Sequence, residues 1–263
     1  MRSRGQPLYD RRLIYLRDLL RELVTREMKL RYKRSVLGVA WSLLNPLAQL
    51  LVFSFLFRFV LPLNIPDYSL FLFTGVLAWS WFQSSLVVAT GAITDNRELI
   101  RRPGFPVGIL PVVTVTTHLV HFLLAMPILL LFLVLGGRLH LDVLLALPIV
   151  IGLQFVLTLG LAYLVATFHV TFRDTQYLLG VLLMLLFYLT PVFYDGSRIP
   201  ARYQPLYRLN PMLHLIDAYR AILLRGELPD GPSILALIVV AAGLLWLGRR
   251  IFTQASYRFA EEL

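Results

Sequence analysis

Six apolar blocks divide the chain, at about 36–61, 70–93, 107–136, 143–168, 176–194 and 232–252. Each is near or above the roughly 20 residues that a helix needs to cross hydrocarbon. Only a helix satisfies its own backbone polar groups within one such block, so the pattern predicts an all-α integral membrane protein with six transmembrane helices. Composition agrees. Of 263 residues, 58% are hydrophobic and 15% charged, against about a quarter charged in a soluble domain, and mean hydropathy is +0.72. No composition shift marks a second, soluble domain.

An even number of spans returns both ends to one side. Eighteen of the 25 Lys and Arg residues lie there: in residues 1–35, at Arg97, Arg101 and Arg102, at Arg173, and at Arg249, Arg250 and Arg258. The positive-inside bias therefore predicts cytoplasmic termini, in the cytoplasmic (inner) membrane. It also accounts for the net charge of +10 without nucleic acid as a partner. The polar stretch before the first block is longer than the charged region of a signal peptide, so that block is expected to be retained. Cysteine is absent, which excludes disulfides, thiolate metal sites and cysteine nucleophiles.

Within residues 1–35, Leu13, Leu16, Leu20, Leu23 and Val24 recur at helical spacing among cations. This predicts an amphipathic interface helix, apolar face toward lipid and cations toward the head groups. Residues 253–263 read as a cytoplasmic tail. Residues 195–231 form the one long loop, external in this topology. There Asn210-Pro211 is a helix start and Gly226 a stop. Leu215, Ile216, Tyr219, Ile222 and Leu223 make an apolar stripe, with Asp217 and Arg220 on the polar side. Short external helices are expected, interfacial or re-entrant in the outer leaflet; the pattern alone does not separate these from a helix outside the lipid.

Catalytic motifs are missing. The chain contains no G-x-x-x-x-G-K-[ST], H-E-x-x-H, G-x-S-x-G or D-x-D sequence, so it is not expected to be an enzyme or to hold ATP phosphates itself. Every Asp and Glu falls in a loop or terminal segment, whereas proton- and sodium-driven transporters place carboxylates within the membrane. A pump of this kind needs a separate ATPase.

Polar stripes nonetheless run along the blocks. Gly38, Ser42, Asn45 and Gln49 lie in the first; Ser80, Gln83, Ser84, Gly91 and Thr94 in or just after the second. Thr114, Thr117, His118 and His121 lie in the third, Gln154 and Thr158 in the fourth. Such faces turn away from lipid, toward other helices or a pathway, and small polar residues serve both ends. His118 and His121 share a face without a carboxylate or thiolate nearby in sequence, which favours packing or lining over a metal site. Aromatic residues, including Trp79, Tyr188 and Tyr194, cluster toward the outer ends of blocks two and five. An interfacial belt explains most of them, but flat rings also suit a sliding sugar polymer. Pro191, between Tyr188 and Tyr194, interrupts the helical ladder and is expected to kink it.

The basic amphipathic segment leading into KLRYKRSVLGVAWSLLNPL, the FRD at Phe172 to Asp174, and LTPVFYDGSRIPARYQPLYRLNPMLHLIDAYRAILLRGELP resemble ABC-2-type permeases of the polysaccharide export branch. The most specific parts are the S-x-L-G-x-x-W-x-x-L-x-P run from Ser35 to Pro46 and the block from Pro191 to Pro211. The resemblance, to O-antigen, capsule and teichoic-acid export permeases, covers nearly the whole chain. It implies a homodimer joined to two copies of a nucleotide-binding subunit, which would carry the ATP and magnesium. A polyprenyl- or lipid-linked polysaccharide would pass along the dimer axis. It also implies that residues 94–104 are a coupling helix, with Asp95, Asn96, Arg97, Glu98, Arg101 and Arg102 meeting the ATPase. The stripe and aromatic residues Ser42, Asn45, Gln49, Trp79, Gln83, Ser84, Tyr188 and Tyr194 are then candidates for the pathway. Tyr219 and Arg220 are candidates for an external gate helix. The competing readings are an ABC-2 permease for a drug, lipid or other glycoconjugate, a membrane enzyme acting on polyprenyl-linked sugars, and a passive channel.

Overall fold

A computed structural model describes residues 8–33, 35, 40–60 and 65–259, and all regular structure among them is helical. Helix α1 (Leu8–Tyr32) precedes α2 (Trp41–Phe55), which continues as a wider π turn through Val60. Helix α3 (Tyr68–Gly91) leads through a 3₁₀ turn (Thr94–Asn96) into the short α4 (Arg97–Ile100). Then come α5 (Ile109–Leu135), the short α6 (Leu141–Leu144), α7 (Leu147–Thr171) and α8 (Thr175–Leu189). After α8 lie α9 (Gln204–Arg208), α10 (Pro211–Arg220) with a π extension to Arg225, and finally α11 (Gly231–Ser256).

Among the described residues, four stretches are long and apolar enough to cross a membrane: Tyr68–Gly91, Ile109–Leu135, Leu141–Thr171 and Gly231–Ser256. The apolar part of α2 (Pro46–Phe55) and α8 are shorter. At 1.5 Å per residue, the 15 residues of α8 reach about 22 Å, less than the hydrocarbon core of about 30 Å. The fifth block was expected to run to residue 194 with a kink at Pro191. Instead the helix ends at Leu189, and Thr190 is extended, with φ −93° and ψ 135°. The cause is the proline, whose ring pushes the residue before it out of the helical region.

Helix α3 is the centre of the bundle, buried along most of its length and packed against α2, α5, α7, α8 and α10. The most extensive pairing is between α7 and α11, where Gly160 and Gly248 let the backbones meet. A Cβ on Gly160 would stand 2.6 Å from the Leu244 carbonyl carbon. Without a hydrophobic drive between helices in lipid, close small-residue contacts of this kind supply much of the association. Polar side chains add ties: Gln154 Nε2 on α7 donates to the Ala78 carbonyl on α3 at 2.8 Å, and Tyr163 Oη to the Gly108 carbonyl at 2.9 Å. Gln154 is therefore glue between helices, not lining.

Helix α1 departs from the expected pose. Leu16, Leu19, Leu20, Leu23 and Val24 pack against the protein core, and Leu13 stays 64% exposed. Part of the apolar stripe thus packs on the bundle, where α1 meets α5.

Candidate functional site

The segment after α3 is held by two isoleucines and turns its charges outward. Ile93 and Ile100 are buried, while Asp95, Arg97, Glu98, Arg101 and Arg102 are exposed. Local bonds fix the turn: Asn96 Nδ2 donates to the Ala92 carbonyl at 3.0 Å and Arg97 Nε to the Thr94 carbonyl at 3.2 Å. Pro103 and Gly104 end it, and Gly104 takes φ +78°, a conformation that a Cβ penalises. The regular part is only a 3₁₀ turn and one helical turn, shorter than a coupling helix over 94–104. Beside it, α1 and residues 99–105 enclose an open groove of about 1380 Å³, bordered by Arg26, Lys29, Lys33 and Arg102, with Asp18 and Glu22 among them. Asp95 and Asn96 line a smaller pocket beneath α1.

The expected pathway residues fall into two groups. Ser84 lies with Ser80 in a cavity of about 330 Å³, together with Arg31, His118 and His121. Trp79, Gln83, Tyr188 and Tyr194 belong instead to an aromatic band. Trp79 Nε1 donates to Gln83 Oε1 at 2.8 Å, and its ring lies 5.7 Å from Phe187. Phe187 stacks near Phe53 and Phe193, and Phe193 meets Tyr188 at 6.1 Å and Tyr194 at 5.1 Å. The Tyr194 hydroxyl donates to the Tyr188 carbonyl at 3.1 Å. Tyr188 itself is 59% exposed. Gln49 is half-buried on α2, and the side chains of Ser42 and Asn45 lie outside the described residues.

The external helix also departs from expectation. The caps are as read: the Asn210 side chain accepts from Met212 N at 3.0 Å, and Gly226 takes φ +67° at the end of the π turn. Yet Arg220, assigned to the polar side, is 4% exposed, and Tyr219 is buried against Phe122. Helix α10 packs on α3, α7 and α11. Arg220 Nη1 donates to the Pro191 carbonyl at 2.7 Å, and Nη2 to the Val192 carbonyl at 2.6 Å and the Phe71 carbonyl at 3.3 Å. Its guanidinium carbon lies 3.4 Å above the Phe71 ring, a cation–π contact. Gly75 makes room, since a Cβ there would come 2.8 Å from both Arg220 Nη2 and the Val192 carbonyl. The reason for the burial is the break at Pro191: it frees carbonyls that only a multi-donor cation can satisfy together.

Sequence reasoning missed Arg31. In the sequence it is one of many N-terminal cations, and its contact to α5 spans about 90 residues of chain, a separation that no local pattern signals.

Residues 18–224 match the family described as ABC-2 type transporter. The chain is 38% identical over 255 residues to the O-antigen export system permease protein RfbA of Myxococcus xanthus, covering 96% of this chain and 98% of that protein. It is 34% identical over 250 residues to an RfbA of Klebsiella pneumoniae, covering 95% and 96%. It is 26% identical over 243 residues to the polysialic acid transport protein KpsM of Escherichia coli, covering 91% and 92%. A match across most of its length to that family, carried by a helical bundle of apolar spans, makes this chain a member of the ABC-2 type transporter membrane family.

Proposed function

We propose that the chain is the permease subunit of an ATP-driven exporter that moves a lipid-linked, O-antigen-like polysaccharide across the cytoplasmic membrane. The near full-length similarity to permeases named for O-antigen export carries this reading. The working unit is a homodimer with two copies of a nucleotide-binding subunit, which holds the ATP and magnesium. Six spans cross the membrane, with α2 and its π turn as the first and α8 as the fifth, and both termini are cytoplasmic. The deficit in α8 is made up by residues 190–194, where Arg220 caps the carbonyls of Pro191 and Val192 and the Tyr68 hydroxyl that of Phe193. Irregular backbone is tolerated at membrane depth only where protein buries it, which supports this assignment.

The groove between α1 and residues 99–105 is the docking place for the nucleotide-binding subunit, with Arg102 on its border, Asp95 and Asn96 in the smaller pocket, and Arg97, Glu98 and Arg101 exposed on the same segment. Two firmly anchored isoleucines under an exposed charged turn support a surface built to transmit force. The aromatic band offers a growing polymer repeated weak contacts in place of one tight site. Helices α2 and α8 expose apolar residues along much of their length, in keeping with a second copy and lipid covering them. Helix α10 closes the outer mouth, acting through its packing rather than through a free polar face.

The test is co-purification with the nucleotide-binding subunit. Glu98→Lys combined with Arg101→Glu is expected to abolish association while membrane insertion persists; unchanged association overturns the docking assignment. ATP-independent uphill movement by the isolated chain would overturn the exporter reading itself.

A further inference from the structure

Arg31 stands near the end of α1, where the helix meets α5. Its Nη1 lies 3.3 Å from His118 Nε2 and 3.2 Å from His121 Nε2. His118 Nδ1 lies 2.9 Å from the Thr114 carbonyl, so it carries the ring proton, and Nε2 accepts from the guanidinium. His118 is 3% exposed, and the two rings meet edge to face at 5.8 Å. Two neutral imidazoles thus hold one face of a cation. The nearest carboxylate in α1, Glu27, is paired with Thr117 Oγ1 at 3.2 Å, and Arg31 forms no ion pair among the described residues. Arg31 lines the 330 Å³ cavity together with Ser80 and Ser84, one turn apart on α3. The volume lies at the small end of the roughly 300–1,000 Å³ typical of ligand sites.

We infer that this cavity is the docking site for the phosphate or diphosphate group of the lipid-linked substrate. A guanidinium presents a planar fork of donors that matches phosphate oxygens, and the two serine hydroxyls in the same cavity are further donors for them. The imidazoles orient the guanidinium without neutralising it, and Glu27, one turn earlier on α1, interacts with its charge without pairing to it. Ser84 and Ser80 lie about 10 and 16 Å along α3 from Gly91, so the site sits in the half of the bundle nearest the coupling segment. With the cytoplasmic termini proposed above, that half faces the inner leaflet, from which a carrier lipid's head group would enter. The inference rests on the exporter reading above.

The experiment uses the full complex with its nucleotide-binding subunit in nanodiscs, probed with undecaprenyl diphosphate, undecaprenol and phosphatidylglycerol. The wild type is expected to bind the diphosphate and not the alcohol. Arg31→Gln should weaken binding by about tenfold or more, the factor expected for loss of a charge-assisted hydrogen bond. Arg31→Lys should restore part of it. Ser84→Leu, which fills the cavity and leaves Arg31 intact, should also weaken it and covers the case in which Arg31→Gln fails to fold. Unchanged diphosphate affinity in Arg31→Gln or in Ser84→Leu, with a folded complex, overturns the site. Equal competition by phosphatidylglycerol overturns the substrate as its occupant in favour of bulk lipid. Export is read separately. Wild type that binds diphosphate but exports no polysaccharide refutes the exporter reading and leaves the site, whereas normal export with unaltered binding in the variants refutes the site alone.

Discussion

Arg220 illustrates how a single side chain stabilises a local break in the fold. Its three carbonyl partners come from two separate stretches, Phe71 and the 191–192 turn. Removing a buried donor leaves each acceptor bare, at about 1–3 kcal/mol apiece. Arg220→Ala is therefore expected to lower the melting temperature in detergent markedly, and Arg220→Lys to rescue little, because an ammonium is a point donor. Gly75→Ala should mimic part of the loss by crowding Nη2 and the Val192 carbonyl. A melting temperature unchanged in all three would refute the clamp. Glu27 makes a different prediction. Burial, opposed by the Thr117 hydrogen bond and the Arg31 charge, raises its pKa above the ordinary value of 4.5. A raised carboxyl binds its proton more tightly when α1 is docked, so docking is strongest below 4.5 and weakens as pH rises through the folded value. Protection of the α1 amides, taken relative to their intrinsic exchange rate at each pH, should rise as pH falls from neutral, and Glu27→Gln should remove that rise. Arg220 reads in the sequence as a surface cation because long charged residues are seldom fully buried. The carbonyls it caps lie 28 to 149 residues away in the chain, so nothing local reveals them.

At the scale of single elements, α8 is the most informative helix. Pro191 announces an interruption, but whether a proline kinks a helix or ends it depends on what receives the freed carbonyls, and here α10 does. With Pro191→Ala the helix should extend past Leu189, displacing Tyr194 from the Tyr188 carbonyl. Circular dichroism should show the added helix, and export should fall. Tyr188→Ala is a gentler probe. Its side chain is 59% exposed, so stability should change by no more than about 0.5 kcal/mol, while polymer export slows. Equal export at equal protein level would count against the aromatic band as a pathway. The long apolar helices α3, α5, α7 and α11 were legible because hydrocarbon imposes their length and composition. The orientation of α1 was not, because an amphipathic stripe looks the same against lipid as against another helix.

Across the whole molecule, the cysteine-free sequence offers a clean test of topology. Ser197 and Gln254 are exposed near opposite ends of the bundle. In spheroplasts an impermeant maleimide should label Ser197→Cys directly and Gln254→Cys only after permeabilisation; the reverse pattern would invert the proposed orientation. The groove and the His118–His121 cavity share one wall, the 25-residue α1, which carries Lys29 toward the first and Arg31 toward the second. They stand two residues apart on a stiff rod. A displacement of that rod is then felt at both places at once, with no signal relayed through the bilayer. By thermodynamic reciprocity, whatever factor nucleotide changes the cavity's affinity by, an occupied cavity must change nucleotide affinity by the same factor. Loading and firing would be two readings of one lever.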